Sequence, residues 1–388
     1  MPAINIITDF FNITGYAKHG YGIIRALKKL NPETFLETNL PPDWHKMVDD
    51  LSFELCSKGN NPTAWQVMIT NPLMTQYKLV EPNKGVLPFF VFEGDKAPKQ
   101  WALLSEKFSR VLVPSEHTAW ALMAAGIKKE KIAIVPHGYD PQIFNPEVKT
   151  IPQFQSKKFT FLWNKGWSKG EKDRSGFHHV LRAFCAEFKP EENIRLLAHI
   201  NPVYNRPDWN IENEIAKINI SPKEERAEIS ISTDAWNDQT VAQFYKAGDC
   251  FIGVTCADAF NLPVLEAMAC GLPVIISTFG GQMDYAGTQE FSFEVKGELQ
   301  PAQCSDINEK TLYEQTNWLV PDQNELRNRM RAVFELWKQD KKQWTHLSEQ
   351  ATLTAKQWTW ENSAQKLLNL VKEMEADNGN NKHGNNKQ

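Results

Sequence analysis

At 388 residues, with 41% apolar and 23% charged residues, the chain is too long for one ordinary core and suits two globular domains. A net charge of −4 leaves no polycationic footprint, so bulk charge predicts no strong nonspecific attraction to nucleic acid or anionic lipid. No run approaches the roughly 18 apolar residues of a membrane span, and the amino terminus lacks the basic and apolar regions of a signal peptide, so a cytoplasmic location is expected.

Short apolar, β-rich runs alternate with longer helix-like stretches along the chain. The first half carries predicted strands at Ile4–Asp9, Trp65–Thr70, Leu87–Glu93, Arg110–Pro114 and Ile132–Pro136, with helices at Gly20–Leu30 and Glu116–Ala125. The second half carries strands at Phe159–Trp163, Ile194–His199, Ala227–Ser232, Cys250–Val254 and Pro273–Ser277, with helices at Phe177–Phe188 and Pro263–Cys270. Continuous apolar strands are what a parallel sheet needs when helices cover both its faces. The alternation occurs twice, which predicts an α/β protein of two Rossmann-like domains facing each other across a cleft. The polar stretch Pro146–Lys158, with two prolines and no apolar period, reads as the linker. Residues 1–150 are thus expected to form the first domain and residues 151–355 the second. Asn324–Trp337 and Lys342–Glu373 read as amphipathic helices, and the tail over residues 376–388 has the composition of a disordered segment. The six cysteines, Cys56, Cys185, Cys250, Cys256, Cys270 and Cys304, form no CxxC pair and read as buried free thiols.

Ligands of such folds bind where strands end and helices begin. The most informative stretch is DCFIGVTCADAFNLPVLEAMACGLPVIIS, from Asp249 to Ser277. A strand ends near Thr255, and a helix opens at Pro263, whose missing N–H is not needed in a first turn. The loop Asp258-Ala259-Phe260-Asn261-Leu262 would present backbone N–H groups at that helix start, which suits an anionic ligand. Glu266 sits one turn inside, within reach of hydroxyls of the same ligand.

This stretch resembles the signature of retaining glycosyltransferases of the GT-B fold, the family-4-like glycosyl transferases group 1, a group that includes sucrose synthases and bacterial mannosyltransferases. Their hallmark is an acid, seven residues, then Glu, in a run close to EGFGLPVLEAMACGTPVV. Asp258 and Glu266 fill the two acid positions, and LPVLEAMACG stands intact from Leu262 to Gly271. By that resemblance Glu266 holds the donor ribose, while Asp258 and the backbone of Phe260, Asn261 and Leu262 face the transferred sugar. Asp258 departs from the usual Glu by one methylene.

The resemblance extends over nearly the whole chain through looser matches. Gly15, Gly20 and Gly22 lie between the first strand and first helix; the spacing is not GxGxxG, but it resembles the family's glycine-rich loop near the donor phosphates, with Gly15 the best single choice. Lys18 and His19 of that loop stand between ligand contact and solvated surface. Pro136, Gly138 and Asp140 keep the PxGxD pattern that closes the first domain; these read as architectural, and a ligand contact is a lesser alternative for Ser115 and Glu116. In FLWNKGWSKGEKDRSGFHHVLRAF, from Phe161 to Phe184, cations are expected to meet the donor diphosphate. Gly176 fixes a register that puts Ser175 where the family's lysine stands, so Lys165 and Arg174, ahead of Lys169 and Lys172, are the expected substitutes. Gly280 and Gly281 resemble a turn lining the donor site, with Asp284 after them. Glu93 and Asp95 end a first-domain strand and stand between acceptor binding and helix capping.

Together these imply metal-independent, cofactor-free transfer from a UDP- or GDP-sugar, with retention, to an acceptor hydroxyl on a glycan, lipid-linked sugar, protein or modified nucleobase. The last helix, residues 356–375, is expected to pack back on the first domain. Two alternatives remain open on the same fold: a nucleotide-sugar epimerase or phosphorylase, and a sugar-nucleotide-binding scaffold that has lost catalysis.

Overall fold

The computed structural model describes residues 1–8, 15–38, 61, 63–69, 85–202, 209–304 and 307–384. Cys56 and the strand ends expected at Asp9 and Thr70 lie outside them.

The first domain is built on β1 (Ile4–Thr8), β2 (Thr34–Thr38), β3 (Trp65–Ile69) and β4 (Val86–Pro88), all parallel in the order β2-β1-β3-β4. A parallel bridge from Phe89 to Leu112 carries the sheet on to β5 (Val111–Val113) and β6 (Ile132–Ile134). Every residue of β1 is buried, as a central parallel strand covered on both faces requires. Helix α1 (Gly15–Leu30) lays Ala17, Ile23, Ile24 and Leu27 on that sheet at helical spacing. It starts earlier than the sequence pattern suggests, so Lys18 and His19 are helical residues, and His19 is buried rather than part of a solvated loop. Among the described residues helices α2 (Lys99–Ser105) and α3 (Glu116–Ala124) follow, the latter capped by the Ser115 hydroxyl, which accepts the Thr118 N–H at 3.1 Å.

The second domain holds β7 (Phe159–Lys165), β8 (Ile194–Ile200), β9 (Glu228–Ser232), β10 (Cys250–Gly253), β11 (Val274–Ser277) and β12 (Ser292–Val295). Their order is β12-β11-β10-β7-β8-β9, parallel throughout. The chain moves outward from β7 in one direction, then returns to start the other half at β10. That reversal between β7 and β10 opens a crevice at their carboxyl ends. Helices α4 (Phe177–Glu187), α5 (Ile211–Ala216), α6 (Asp238–Tyr245), α7 (Leu262–Ala269) and α8 (Met283–Ala286) connect the strands. The expected linker contains no strand and one short turn, Pro152–Phe154, whose Phe154 packs against Trp236 and Phe244 of the second domain.

After β12 the chain makes an excursion absent from the sequence reading: β13 (Gly297–Pro301), α9 (Ile307–Leu312) and β14 (Asn317–Pro321), with β13 and β14 antiparallel. It reaches the first domain. Tyr313 and Trp318 join Phe90, Phe92 and Trp101 in one apolar cluster, and Asn317 donates its backbone N–H and side-chain amide to the two Asp95 oxygens at 2.7 and 2.8 Å. Both Asp95 oxygens are thereby committed to holding the domains together. Asp95 does not cap α2, whose N-cap is Pro98 without a side-chain hydrogen bond.

Helices α10 (Gln323–Gln339) and α11 (Lys341–Ala355) cover the second sheet, and α12 (Trp360–Gly384) crosses back onto α1. The single helix expected over Lys342–Glu373 is therefore two helices, broken where Thr359 bridges to Tyr139 of the first domain. A Cβ on Gly22 would lie 2.2 Å from the Trp360 ring, which explains a glycine on this face of α1. Helix α12 continues to Gly384, into the segment expected to be disordered; residues 385–388 lie outside the described residues. Cys185, Cys250, Cys256, Cys270 and Cys304 are buried free thiols.

Candidate active site

The crevice between β7 and β10 receives one functional side chain from each strand end. Lys165 closes β7, and its ammonium lies 2.6 Å from the Asp258 carboxylate beyond β10. Arg174, before α4, stands 4.0 Å from the same carboxylate and 3.0 Å from Glu93 of the first domain. Glu93 accepts a further hydrogen bond from the Tyr313 hydroxyl at 2.7 Å. Positive and negative groups thus alternate from Lys165 through Asp258 and Arg174 to Glu93, running from the second domain to the first. Burial pushes the Asp258 carboxyl up, but Lys165 and Arg174 outweigh it and bring it to about 2. Burial draws the Lys165 ammonium down, and Asp258 counters it. Lys165 and Arg174 are the cations the sequence favours. Ser175 is buried, and its N–H is taken by Asp173 at 3.0 Å.

Asp258 also shapes its own loop. Its second oxygen accepts the N–H groups of Phe260 and Asn261 at 3.0 and 2.6 Å, so these donors are turned onto the carboxylate. Asn261 adopts a left-handed conformation (φ 68°), uncommon without glycine, and its side-chain amide donates to the Gly253 carbonyl at 3.1 Å. Tyr285 of α8 reaches the carbonyls of Phe260 and Asn261 at 2.9 and 2.7 Å. The first domain holds the loop from the other side, where the Ser115 hydroxyl donates to the Ala259 carbonyl at 2.6 Å. Ser115 therefore supports the loop. Beside it, Asp284 accepts the Glu116 N–H at 2.8 Å, an unforeseen link between the domains.

Gly280 and Gly281 lie against the loop's back. A Cβ on Gly281 would fall 2.0 Å from the Ala259 oxygen and 2.7 Å from the Phe260 Cα, both backbone atoms that cannot turn aside. Gly281→Ala is expected to lower stability by about 1–3 kcal/mol, measured by urea unfolding; an unchanged unfolding midpoint would show that the loop yields freely. Gly15 differs from its neighbours, since a Cβ there meets no atom of the described residues within 4 Å, whereas at Gly20 it would strike Thr8 at 2.7 Å.

Glu266 lies one turn into α7 and is 1% exposed. One carboxylate oxygen accepts the Tyr245 hydroxyl at 3.1 Å, and the other meets the Lys18 ammonium from α1. Burial raises its pKa, with Lys18 opposing and Asp238 adding to the rise. His19 points into an aromatic box with Phe89, His137 and Trp360, away from this chain of charges. Neither its nitrogens nor those of His137 have a hydrogen-bond partner among the described residues.

Residues 172–334, from the turn after β7 through most of α10, match the model of the family described as Glycosyl transferases group 1. That match covers less than half of the chain. The chain's fold is GT-B, two Rossmann-like domains around a cleft. The structure of HepE from Anabaena with UDP-glucose aligns over 95% of this chain and 99% of its own at TM-score 0.67 and 14% identity. Sucrose-phosphate synthase from Thermosynechococcus elongatus aligns over 97% and 100% at 0.68 and 14%. A curated relative, the sulfoquinovosyl transferase SQD2 of Arabidopsis thaliana, is 26% identical over 227 residues, 56% of this chain and 40% of that protein's length. The matched residues include Arg174, Asp258, Glu266 and the β13–β14 excursion; Lys165 lies just before them, and Lys18 and Glu93 belong to the first domain. Among the described residues no helix is long and apolar enough to cross a membrane.

Proposed function

We propose that this chain is a retaining glycosyltransferase that moves a sugar from a nucleoside-diphosphate sugar to an acceptor hydroxyl. The observation that carries the reading is the meeting of Lys165 and Arg174 at Asp258, in the crevice where the strand order reverses, with Glu266 on the adjoining helix. HepE, of like fold, was solved with UDP-glucose and with UDP, which supports UDP as the first nucleotide to test, ahead of GDP.

The proposed chemistry follows from the charges. A donor diphosphate lying along Lys165 and Arg174 gains negative charge as the bond from the sugar's anomeric carbon to phosphate breaks, and fixed cations stabilise it where it grows. The acceptor oxygen bonds to the anomeric carbon on the face that the phosphate leaves, which retains configuration. Its proton passes to the departing phosphate oxygen. Asp258, kept ionised by its two cations, faces the transferred sugar, and Glu266 accepts from the ribose hydroxyls. The Glu93 end of the cleft belongs to the acceptor side.

Thermal shift against UDP-sugars, GDP-sugars, UDP, GDP and NAD, without added metal, tests the reading. One sugar nucleotide should raise the Tm, and Glu266→Ala should remove the rise. Stabilisation by NAD alone, or by no nucleotide, would overturn it. Donor turnover measured on the same preparation separates a working transferase from a donor-binding scaffold.

A further inference from the structure

Glu266 is the carboxylate assigned above to the donor ribose, yet both its oxygens are engaged. Tyr245 donates to one at 3.1 Å, and Tyr245 is itself fixed by the Asn164 amide at 2.9 Å. The other is held by the Lys18 ammonium. Lys18 comes from the first domain, on α1. Its ammonium also lies 3.0 Å from Asp238, at the start of α6, and 5.1 Å from the centre of the Phe144 ring.

Two features make this contact more than a buried ion pair. First, of the two groups on Glu266 only Lys18 can yield to a ribose diol, since Tyr245 is locked by its own partner. Second, the ammonium has a second counter-ion already in contact. It can leave Glu266 and remain paired with Asp238, which is 41% exposed and better solvated than Glu266. Withdrawal therefore avoids stranding a buried positive charge, the usual cost of breaking such a pair.

We propose that Lys18 is a donor-site residue supplied by the first domain, standing on Glu266 in the ribose's place and withdrawing to Asp238 when the ribose binds. This rests on the nucleotide-sugar reading above. It makes Lys18 an internal competitor that sets donor affinity. It also couples donor binding to the loss of one contact between α1 and α7, hence between the domains. The arrangement is self-consistent in charge: the diphosphate reaches Lys165 and Arg174 as the ribose releases Lys18 onto Asp238.

Calorimetric titration of the full chain with UDP and with GDP tests this through substitutions of opposite sign. Lys18→Met removes the competitor and is expected to tighten nucleotide binding about tenfold, as when the competent state is populated about a tenth of the time. Asp238→Asn removes the resting place, leaves Lys18 on Glu266, and is expected to weaken binding several-fold. The double variant should bind like Lys18→Met, because Asp238 acts only through the lysine. A structural role would weaken binding in both single variants alike. Binding by Lys18→Met equal to or weaker than wild type overturns the proposal while leaving the donor reading intact. Should Lys18→Met fold poorly, a wild-type-like affinity in Asp238→Asn overturns it on its own. If neither nucleotide binds any variant, the donor reading falls and this proposal with it.

Discussion

Lys165→Met is expected to remove nearly all sugar transfer and to lower stability, through two separable causes. Its ammonium lies 2.6 Å from Asp258, and its side chain is only 8% exposed. Removing one partner of such a pair leaves a buried carboxylate short of counter-charge, at a cost of about 3–5 kcal/mol. Asp258 keeps two backbone N–H donors and Arg174 at 4.0 Å, which places the loss at the lower end of that range. The catalytic loss has another origin. Taking away one preorganised group from a developing anion costs on the order of 10²–10³-fold in kcat. Lys165→Met/Asp258→Asn tells the two apart: it should recover most of the stability and none of the turnover. The measurement is release of nucleoside diphosphate from whichever sugar nucleotide the wild-type chain binds, with urea unfolding alongside. Turnover by Lys165→Met within tenfold of wild type would remove the lysine from the reaction.

Most parallel strands of the two sheets, though not the edge strands β2 and β12, were legible in the sequence for a physical reason. Strands covered on both faces read as largely apolar runs, as INIIT in β1 and FTFLW in β7 do. The overlooked strands lie at edges or outside the sheets' cores. β12, SFEV, is half-buried at the sheet's end, and β13, GELQP, is largely exposed, so neither carries a strong apolar signal. Asp258, Glu266, Lys165 and Arg174 were found because a contiguous motif and a strand end mark them. Their partners were not marked. That Lys18 meets Glu266, that Tyr313 meets Glu93, and that Asn317 consumes Asp95 are facts of how two domains face each other. No local spacing encodes them. The same holds for Ser115, whose helix-capping position is readable while its hydrogen bond to Ala259 is not.

Stability is expected to fall steeply as pH drops from 7.5 to 5, because the fold buries neutral histidines. Burial draws His137 down to about 3 against the weaker pull of Asp258, and it holds His19 well below its ordinary value, with His137 adding to the effect. Burial likewise brings His178 to about 2 and His179 and His199 to about 4. A histidine depressed in the fold takes up its proton on unfolding, so the unfolded chain binds more protons and stability rises with pH. The window opens at the unfolded value near 6.5 and closes at each folded value. Between pH 6.5 and 5, the four histidines from His137 to His199 each lose about 1–2 kcal/mol, roughly 6 together. Asp284 acts in the opposite sense. Burial raises it to about 6, so it is protonated in the fold before the unfolded chain follows, and it returns about 1–2 kcal/mol on the way down. Glu266, also raised, has the same sign. The histidines prevail, and the net loss is comparable to the whole stability of about 5–15 kcal/mol of an ordinary domain. The Tm should therefore drop sharply below pH 6.5. His137→Phe, which keeps a ring beside Phe260 and Trp360, should flatten that slope by about 1.4 kcal/mol per pH unit. A Tm constant between pH 7.5 and 5 would mean that these histidines gain their protons inside the fold, and that the seam between the domains admits water.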